Sequence, residues 1–261
     1  MTSEPVLVAV DFTAHTLQLL MAERGGGPLR REEWPLPELA DDEAWSWEVG
    51  GRIATMFVHE GEQRSALALA VAAPGTVDPV SGRLVHSSGQ AAWDGLAVVE
   101  SLRRHIDAPI VAEGRTVAAL MGERWQGAAG GSGDALYVSL RGEPSAAMVA
   151  GGRPLRGGHG QAGALPAVPE LSGDLSGGAA EQALEAVAGL LADATALLDP
   201  EVVVLDAEQP TLEQLVPLVQ GVVDEVAPGP AVVASALGEQ AALIGALLMA
   251  ETVAHEGGVT S

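Results

Sequence analysis

Apolar residues recur along this chain with two periods, and the changes of period mark out its elements. Pro5 to Asp11 alternates and is Val-rich, Ala14 to Ala22 is a second apolar run, and Pro28 to Pro35 a third, with Gly25-Gly26-Gly27 as a turn between the last two. This pattern predicts three antiparallel strands at the start. Asp41-Asp42-Glu43 then puts acids at the positive end of a helix dipole. Trp45, Val49, Ile53, Met56 and Phe57 follow at helical spacing and form its buried stripe. Ala66 to Ala73 is a continuous apolar run of strand length closed by Pro74-Gly75, as expected of a strand buried on both faces.

Beyond it the chain alternates. Leu96 to Ile106 reads as helix, Pro109 to Ala112 as strand and Thr116 to Gln126 as helix. A Gly-rich loop, Gly127 to Gly133, leads to strands at Ala135–Leu140 and Ala146–Ala150, and Gly151 to Gly178 reads as irregular. A long Ala/Leu helix spans Ala179 to Leu198. Strand Val202 to Leu205, helix Leu212 to Val226, strand Ala231 to Ala234 and helix Glu239 to Ala254 complete the pattern, with a frayed tail expected from Gly257. Strands then helix, strand, helix, strand, helix occurs twice. This predicts an α/β fold duplicated into two lobes with a cleft between them.

Composition narrows the chemistry. The chain has 261 residues, with 13 basic residues against 35 acidic ones and a formal net charge of -22. All the basic residues are Arg, and there is no Lys, Asn or Cys. Without Lys there is no Walker-type phosphate loop and no Schiff-base enzyme. Without Cys there is no disulfide, thiol nucleophile or cysteine-ligated zinc. The acidity argues against direct binding of nucleic acid. Aromatics are only 3%, so the core must be built from Ala, Val and Leu. No apolar stretch is long enough to span a membrane, and the N-terminus lacks a signal-peptide pattern, so a cytoplasmic protein is expected. No two His lie three or four residues apart, so no metal is expected on a helix face.

Four segments carry a resemblance. Glu113-Gly114-Arg115-Thr116-Val117-Ala118-Ala119-Leu120-Met121-Gly122-Glu123-Arg124-Trp125 is similar, without a gap, to the E-N-D-x-N-A-A-A-L-G-E-R-W stretch of the ROK family. Pro74-Gly75-Thr76-Val77-Asp78 resembles its P-G-x-V-D. Leu198-Asp199-Pro200-Glu201-Val202-Val203-Val204-Leu205 resembles its L-N-P-E-x-I-V-L, and Leu237-Gly238-Glu239 through Ile244-Gly245-Ala246 its closing L-G-x-x-A-x-x-G-A. The resemblance covers nearly the whole chain. It implies a two-lobe actin-like (ribonuclease H-like) ATPase/sugar-kinase fold. The N-terminal lobe would span 1–113, with a C-terminal helix at about 239–256 packing back on it, and the C-terminal lobe 114–238.

The same alignment shows departures from the family. The first phosphate turn, D-x-G-G-T in relatives, is Asp11-Phe12-Thr13-Ala14-His15 here, and the second, G-T-G-I-G, is Arg141-Gly142-Glu143-Pro144-Ser145. Pro144 has no N–H to donate and Glu143 repels phosphate. Asp11, Thr13 and Gly142 are therefore read as vestiges of a nucleotide site. The glycine pair after the late strand becomes Asp206-Ala207. The family's catalytic Asp is replaced by Arg115 and the Asn before it by Gly114. Arg stays protonated and cannot act as a base. The G-E-x-G-H motif reads Gly163-Ala164-Leu165-Pro166-Ala167, and the zinc motif has lost its Cys.

Glu113, Arg115, His159 and Glu181 remain as candidate ligand-binding residues. Each has a plainer alternative. Arg115 is an anion site or a structural ion pair with Glu113 or another acid. Asp11 is a metal or phosphate residue or a strand-end turn former. Glu181 is a sugar contact or a first-turn acid, and His159 a pocket residue or an ordinary loop histidine. The expected function is a catalytically degenerate pseudo sugar kinase acting by binding a neutral or anionic sugar, a protein partner or a second copy of itself. It would be related to ROK transcriptional regulators but have no helix-turn-helix of its own. The alternative is a divergent ATP-dependent sugar kinase of the glucose or N-acetylhexosamine type, using Glu113 or Glu181 as base. Only that alternative requires ATP and Mg²⁺.

Overall fold

The structure is a computed structural model that describes residues 4–25, 27–39, 41–59, 62–158, 161–165, 178–226 and 229–258. In chain order its elements are β1 (Val6–Phe12), β2 (Thr16–Ala22), β3 (Pro28–Pro35), α1 (Asp42–Met56), β4 (Val58–His59), β5 (Glu62–Gln63), β6 (Ala66–Ala73), β7 (Gly75–Asp78), β8 (Arg83–Ser87), α2 (Val98–Arg103), β9 (Ile110–Gly114) and α3 (Arg115–Gln126). There follow β10 (Ala135–Ser139), β11 (Ser145–Ala150), β12 (Arg153–Pro154), α4 (Gly178–Leu198), β13 (Val202–Asp206), α5 (Gln209–Val226), β14 (Ala231–Ala234) and α6 (Ala241–Gly258). Two compact units result. One is Met1–Gly122 with Ala242–Ser261, the other Glu123–Ala241.

The first unit is built on a five-stranded sheet of order β3-β2-β1-β6-β9. The β1–β2–β3 meander is antiparallel, whereas β6 and β9 run parallel to β1. β1 lies between β2 and β6, so every one of its residues is buried. The alternation expected for this strand is therefore not found, and its sequence is a near-continuous apolar run. Asp41 caps α1 by accepting from the Ala44 N–H at 2.9 Å. The α1 stripe of Trp45, Val49, Ile53 and Met56 is buried as the spacing predicts. The Phe12 ring lies 5.2 Å from Trp45 and 5.5 Å from Trp93, centroid to centroid, both tilted.

The second unit repeats the plan. Its five strands are ordered β12-β11-β10-β13-β14, again an antiparallel meander continued by two parallel strands. Leu136, Val138, Val203 and Leu205 meet Leu184, Val187 and Leu191 of α4 and Leu212, Leu215 and Val219 of α5 in one core. The duplicated α/β order expected from the sequence is present as two sheets of one topology.

Boundaries differ where tertiary bonds override local pattern. The helix expected over Leu96–Ile106 is only Val98–Arg103, and at its start the Leu96 carbonyl accepts from the Leu84 N–H at 2.9 Å and the Val98 N–H at 3.0 Å instead of from a helical partner. The β7–β8 hairpin was not foreseen. It depends on Gly75 at φ 121°, where a Cβ would sit 2.0 Å from the His86 carbonyl oxygen. The last helix starts at Ala241, after a tight turn over Gly238–Gln240, and continues to Gly258, past the point where fraying was expected. No helix among the described residues is long and apolar enough to cross a membrane.

Candidate functional site

In open α/β sheets ligands bind beyond the carboxyl ends of the parallel strands, where neighbouring connections diverge. Each unit places charged residues at such an edge.

In the first unit the edge is formed by β1, β6 and β9. Asp11 pairs in register with Ala72, and Ala72 with Glu113, so these three residues form one row across the sheet. Arg115 opens α3 directly after β9. Its Nε donates to Asp11 Oδ1 at 2.7 Å. The Asp11 side chain is 2% exposed and that of Arg115 30%. Burial pushes the Asp11 carboxyl above the ordinary Asp range, and the charge and hydrogen bond of Arg115 pull it part of the way back. Of the partners the sequence left open for Arg115, Asp11 is the one with this ion pair. Glu113 is also buried and accepts from the Gly114 N–H at 2.9 Å. Gly114 itself has no room for a side chain, since a Cβ there would lie 2.6 Å from the Gly75 carbonyl oxygen.

Thr13 lies in the β1–β2 turn. Its Oγ1 accepts from the His15 N–H at 3.2 Å and the Thr16 N–H at 3.0 Å, and the Thr13 N–H donates to the Thr16 carbonyl at 2.8 Å. The Thr13, His15 and Thr16 N–H groups are thus satisfied within the turn, where a phosphate-binding turn would direct such donors at its ligand.

In the second unit the edge is the carboxyl end of β10 and β13. Arg141, just past β10, donates from Nε to Asp206 Oδ1 at 2.8 Å, from Nη2 to the Ala207 carbonyl at 2.6 Å and from Nη1 to Glu239 Oε1 at 3.3 Å. Ser139 Oγ donates to the other Asp206 oxygen at 3.2 Å. Burial lowers the Arg141 guanidinium, but the hydrogen bond and charge of Asp206, with Glu239, outweigh this, so it is held above its ordinary value and stays cationic. Gly142, next to it, takes φ 65° in the turn that leads to β11.

The structure therefore brings Asp11, Glu113 and Arg115 together and sets Thr13 in the adjoining turn. Gly142 lies in the other unit beside the Arg141 cluster. Glu181 is in the first turn of α4, but its side chain, like the whole of His159, lies outside the described residues. Among the described residues no group of three or more His, Asp or Glu could hold a metal ion. Sequence reasoning did not select Arg141, Asp206 or Glu239 as site residues. The signal was there: opposite charges stand at the ends of strands that the fold makes parallel neighbours.

The chain is similar to known proteins over much of its length. A model of the ROK family matches residues 8–166. A glucokinase from Halalkalibacterium halodurans is 22% identical over 168 residues, which cover 60% of this chain and 48% of that enzyme, so the chain spans about half the length of the curated relative it matches. Among solved structures, a ROK family transcriptional regulator described as a homologue of the E. coli MLC protein superposes with a TM-score of 0.81 at 15% identity, covering 97% of this chain and 79% of that one. A ROK family glucokinase from Streptomyces griseus, in complex with glucose and AMPPNP, gives 0.74 at 18%, covering 95% and 99%. At these identities the structures show the fold, which is the actin-like α/β fold of ROK sugar kinases and regulators. With the family model matching more than half of its length, the chain belongs to the ROK family.

Proposed function

We propose that this chain is a ROK protein that has given up phosphoryl transfer and acts by binding a small ligand or a partner, in the manner of the family's regulators. The observation that carries the reading is the Arg115–Asp11 ion pair. Transfer to a sugar hydroxyl requires a carboxylate within hydrogen-bond reach of the attacking oxygen. Here a permanent cation stands at the position of the family's base, and it neutralises the strand-end aspartate that a magnesium ion would need. Losing the base alone costs about 10²–10⁴ in rate. ATP with Mg²⁺ also fits poorly in other respects. The turn donors at Thr13 are already used, and Asp206 and Glu239 are engaged with Arg141. A resident Mg²⁺–nucleotide therefore forms no part of the reading.

The ligand class that suits a half-exposed guanidinium is anionic, such as an acidic sugar or a sugar phosphate, and self-association as a homodimer belongs to the same reading. The test is a coupled assay for sugar-dependent ATP consumption with glucose and N-acetylhexosamines. The expected result is none above background, and measurable turnover overturns the reading. A thermal-shift screen of neutral sugars, acidic sugars and sugar phosphates then identifies the ligand. A response restricted to anions and lost in R115A assigns it to this site. The second reading, a divergent sugar kinase, draws on the glucokinase similarity and on the buried carboxylate of Glu113. It requires turnover in the same assay that is abolished by E113Q.

A further inference from the structure

Glu123 is an acidic side chain with no exposed surface. Burying a carboxylate without a counter-ion is costly unless its oxygens are fully hydrogen-bonded. Glu123 meets that condition with neutral donors. Oε2 accepts from the Ala128 N–H at 2.6 Å and the Ala236 N–H at 3.2 Å, and Oε1 from the Leu237 N–H at 2.8 Å and from the Ser235 hydroxyl. The adjacent loop is built to make room for it, because a Cβ on Gly127 would lie 2.1 Å from Oε2.

Three of these four donors belong to the start of the connection between β14 and α6. The connection is then carried forward residue by residue. Ser235 Oγ also accepts from the Gly238 N–H at 2.8 Å, and Gly238 takes φ 52°. That turn sets the direction of the next residue, Glu239, whose carboxylate lies 3.3 Å from Arg141 Nη1. Arg141 in turn holds Asp206 and the Ala207 carbonyl.

We propose that the 235–239 connection is a two-point latch, in which Glu123 holds the beginning, Arg141 holds the end, and Glu123 thereby positions Arg141 at the edge of β10 and β13. Glu123 is a positioning residue, and it acts through the backbone of the connection rather than by its own charge on Arg141. The inference is independent of what the second unit binds.

The experiment is side-chain ¹⁵N NMR of the Arg Nε–H groups in the full chain, with the Arg141 signal assigned by its loss in R141M. In E123Q the Arg141 resonance shifts or broadens as Glu239 is released. The Ala236 and Leu237 amides exchange about ten- to a hundredfold faster as their charged acceptor is lost. S235A, which removes only the bridging hydroxyl, gives the same Arg141 shift at smaller amplitude, and it carries the test if E123Q does not fold. D134N is the control. Asp134 accepts from the Gly151 N–H in the same unit, apart from the connection, and its replacement leaves the Arg141 signal in place. An Arg141 resonance that stays put in folded E123Q or S235A, or that moves equally in D134N, overturns the proposal.

Discussion

The edge of the first sheet and the edge of the second both hold an arginine against a buried strand-end aspartate, but they do so differently. At the first, Arg115 meets Asp11 through Nε, and the Asp11 side chain is almost fully enclosed. At the second, Arg141 divides its donors among Asp206, the Ala207 carbonyl and Glu239, and Asp206 has Ser139 as a further donor. Loss of the cation beside a carboxylate as enclosed as Asp11 is felt in full. Where a network shares the load, the remaining members compensate. The first edge should therefore break sharply and the second gradually.

The largest effect is expected from R115Q. Removing one member of a buried ion pair leaves an uncompensated carboxylate and costs about 3–5 kcal/mol. Urea unfolding at neutral pH measures it. The pH dependence follows from Asp11, whose carboxyl is held above the ordinary Asp range. The folded state binds this proton more tightly than the unfolded chain does. Stability therefore falls as pH rises from the ordinary Asp value through the raised folded value, and is flat above it. R115Q removes the influence that holds that value down, so the falling window extends upward and the deficit against wild type shrinks as the pH is lowered. The double variant D11N/R115Q, which removes both charges of the pair, recovers most of the loss. An R115Q protein as stable as wild type at every pH contradicts the comparison.

R141M should cost less, about 2–3 kcal/mol, because Asp206 keeps the Ser139 hydroxyl while the Ala207 carbonyl loses a donor. The same unfolding measurement compares the two directly. A loss equal to that of R115Q means that the second edge is no more distributed than the first.

How far the sequence could have anticipated this depends on the kind of interaction. The strands and long helices were legible because burial repeats along the chain: β6 reads as a continuous apolar run, β1 as a Val-rich segment, and α1 as a stripe from Trp45 to Met56. Asp11 could be singled out because it keeps the first residue of a family motif whose glycines are lost, and Arg115 because it replaces a family residue. Their pairing could not, since they are 104 residues apart and meet only when β9 is added to β6 and β6 to β1. The Arg141 cluster needs three separate segments. The β7–β8 hairpin was missed for a related reason, because Gly75 is fixed by a backbone approach from His86 that has no local signature.

The two turns give a smaller contrast. T13A releases two backbone N–H groups in the β1–β2 turn and should cost about 1 kcal/mol, since the turn is partly solvated and water replaces some of what is lost. Faster hydrogen exchange at His15 and Thr16, with the rest of β1 unchanged, is the accompanying signature. A T13A chain in which those two amides stay protected shows that the hydroxyl is not what satisfies them.

The smallest effect is expected at Glu239, and it separates the two edges most cleanly by mechanism. The side chain of Glu239 is 72% exposed and lies 3.3 Å from Arg141. An ion pair this open to water is worth about 0–1 kcal/mol, and Arg141 keeps Asp206 when it is lost. E239Q should therefore lower stability by less than 1 kcal/mol at low ionic strength. The difference from wild type should vanish near 1 M salt, where the screening length falls to about 3 Å. The deficit of R115Q should persist in the same titration, because salt does not penetrate to a carboxylate as enclosed as Asp11. If both deficits fade together, the Arg115–Asp11 pair is screened like a surface contact. The proposed loss of phosphoryl transfer at the first edge then has no physical basis in that pair.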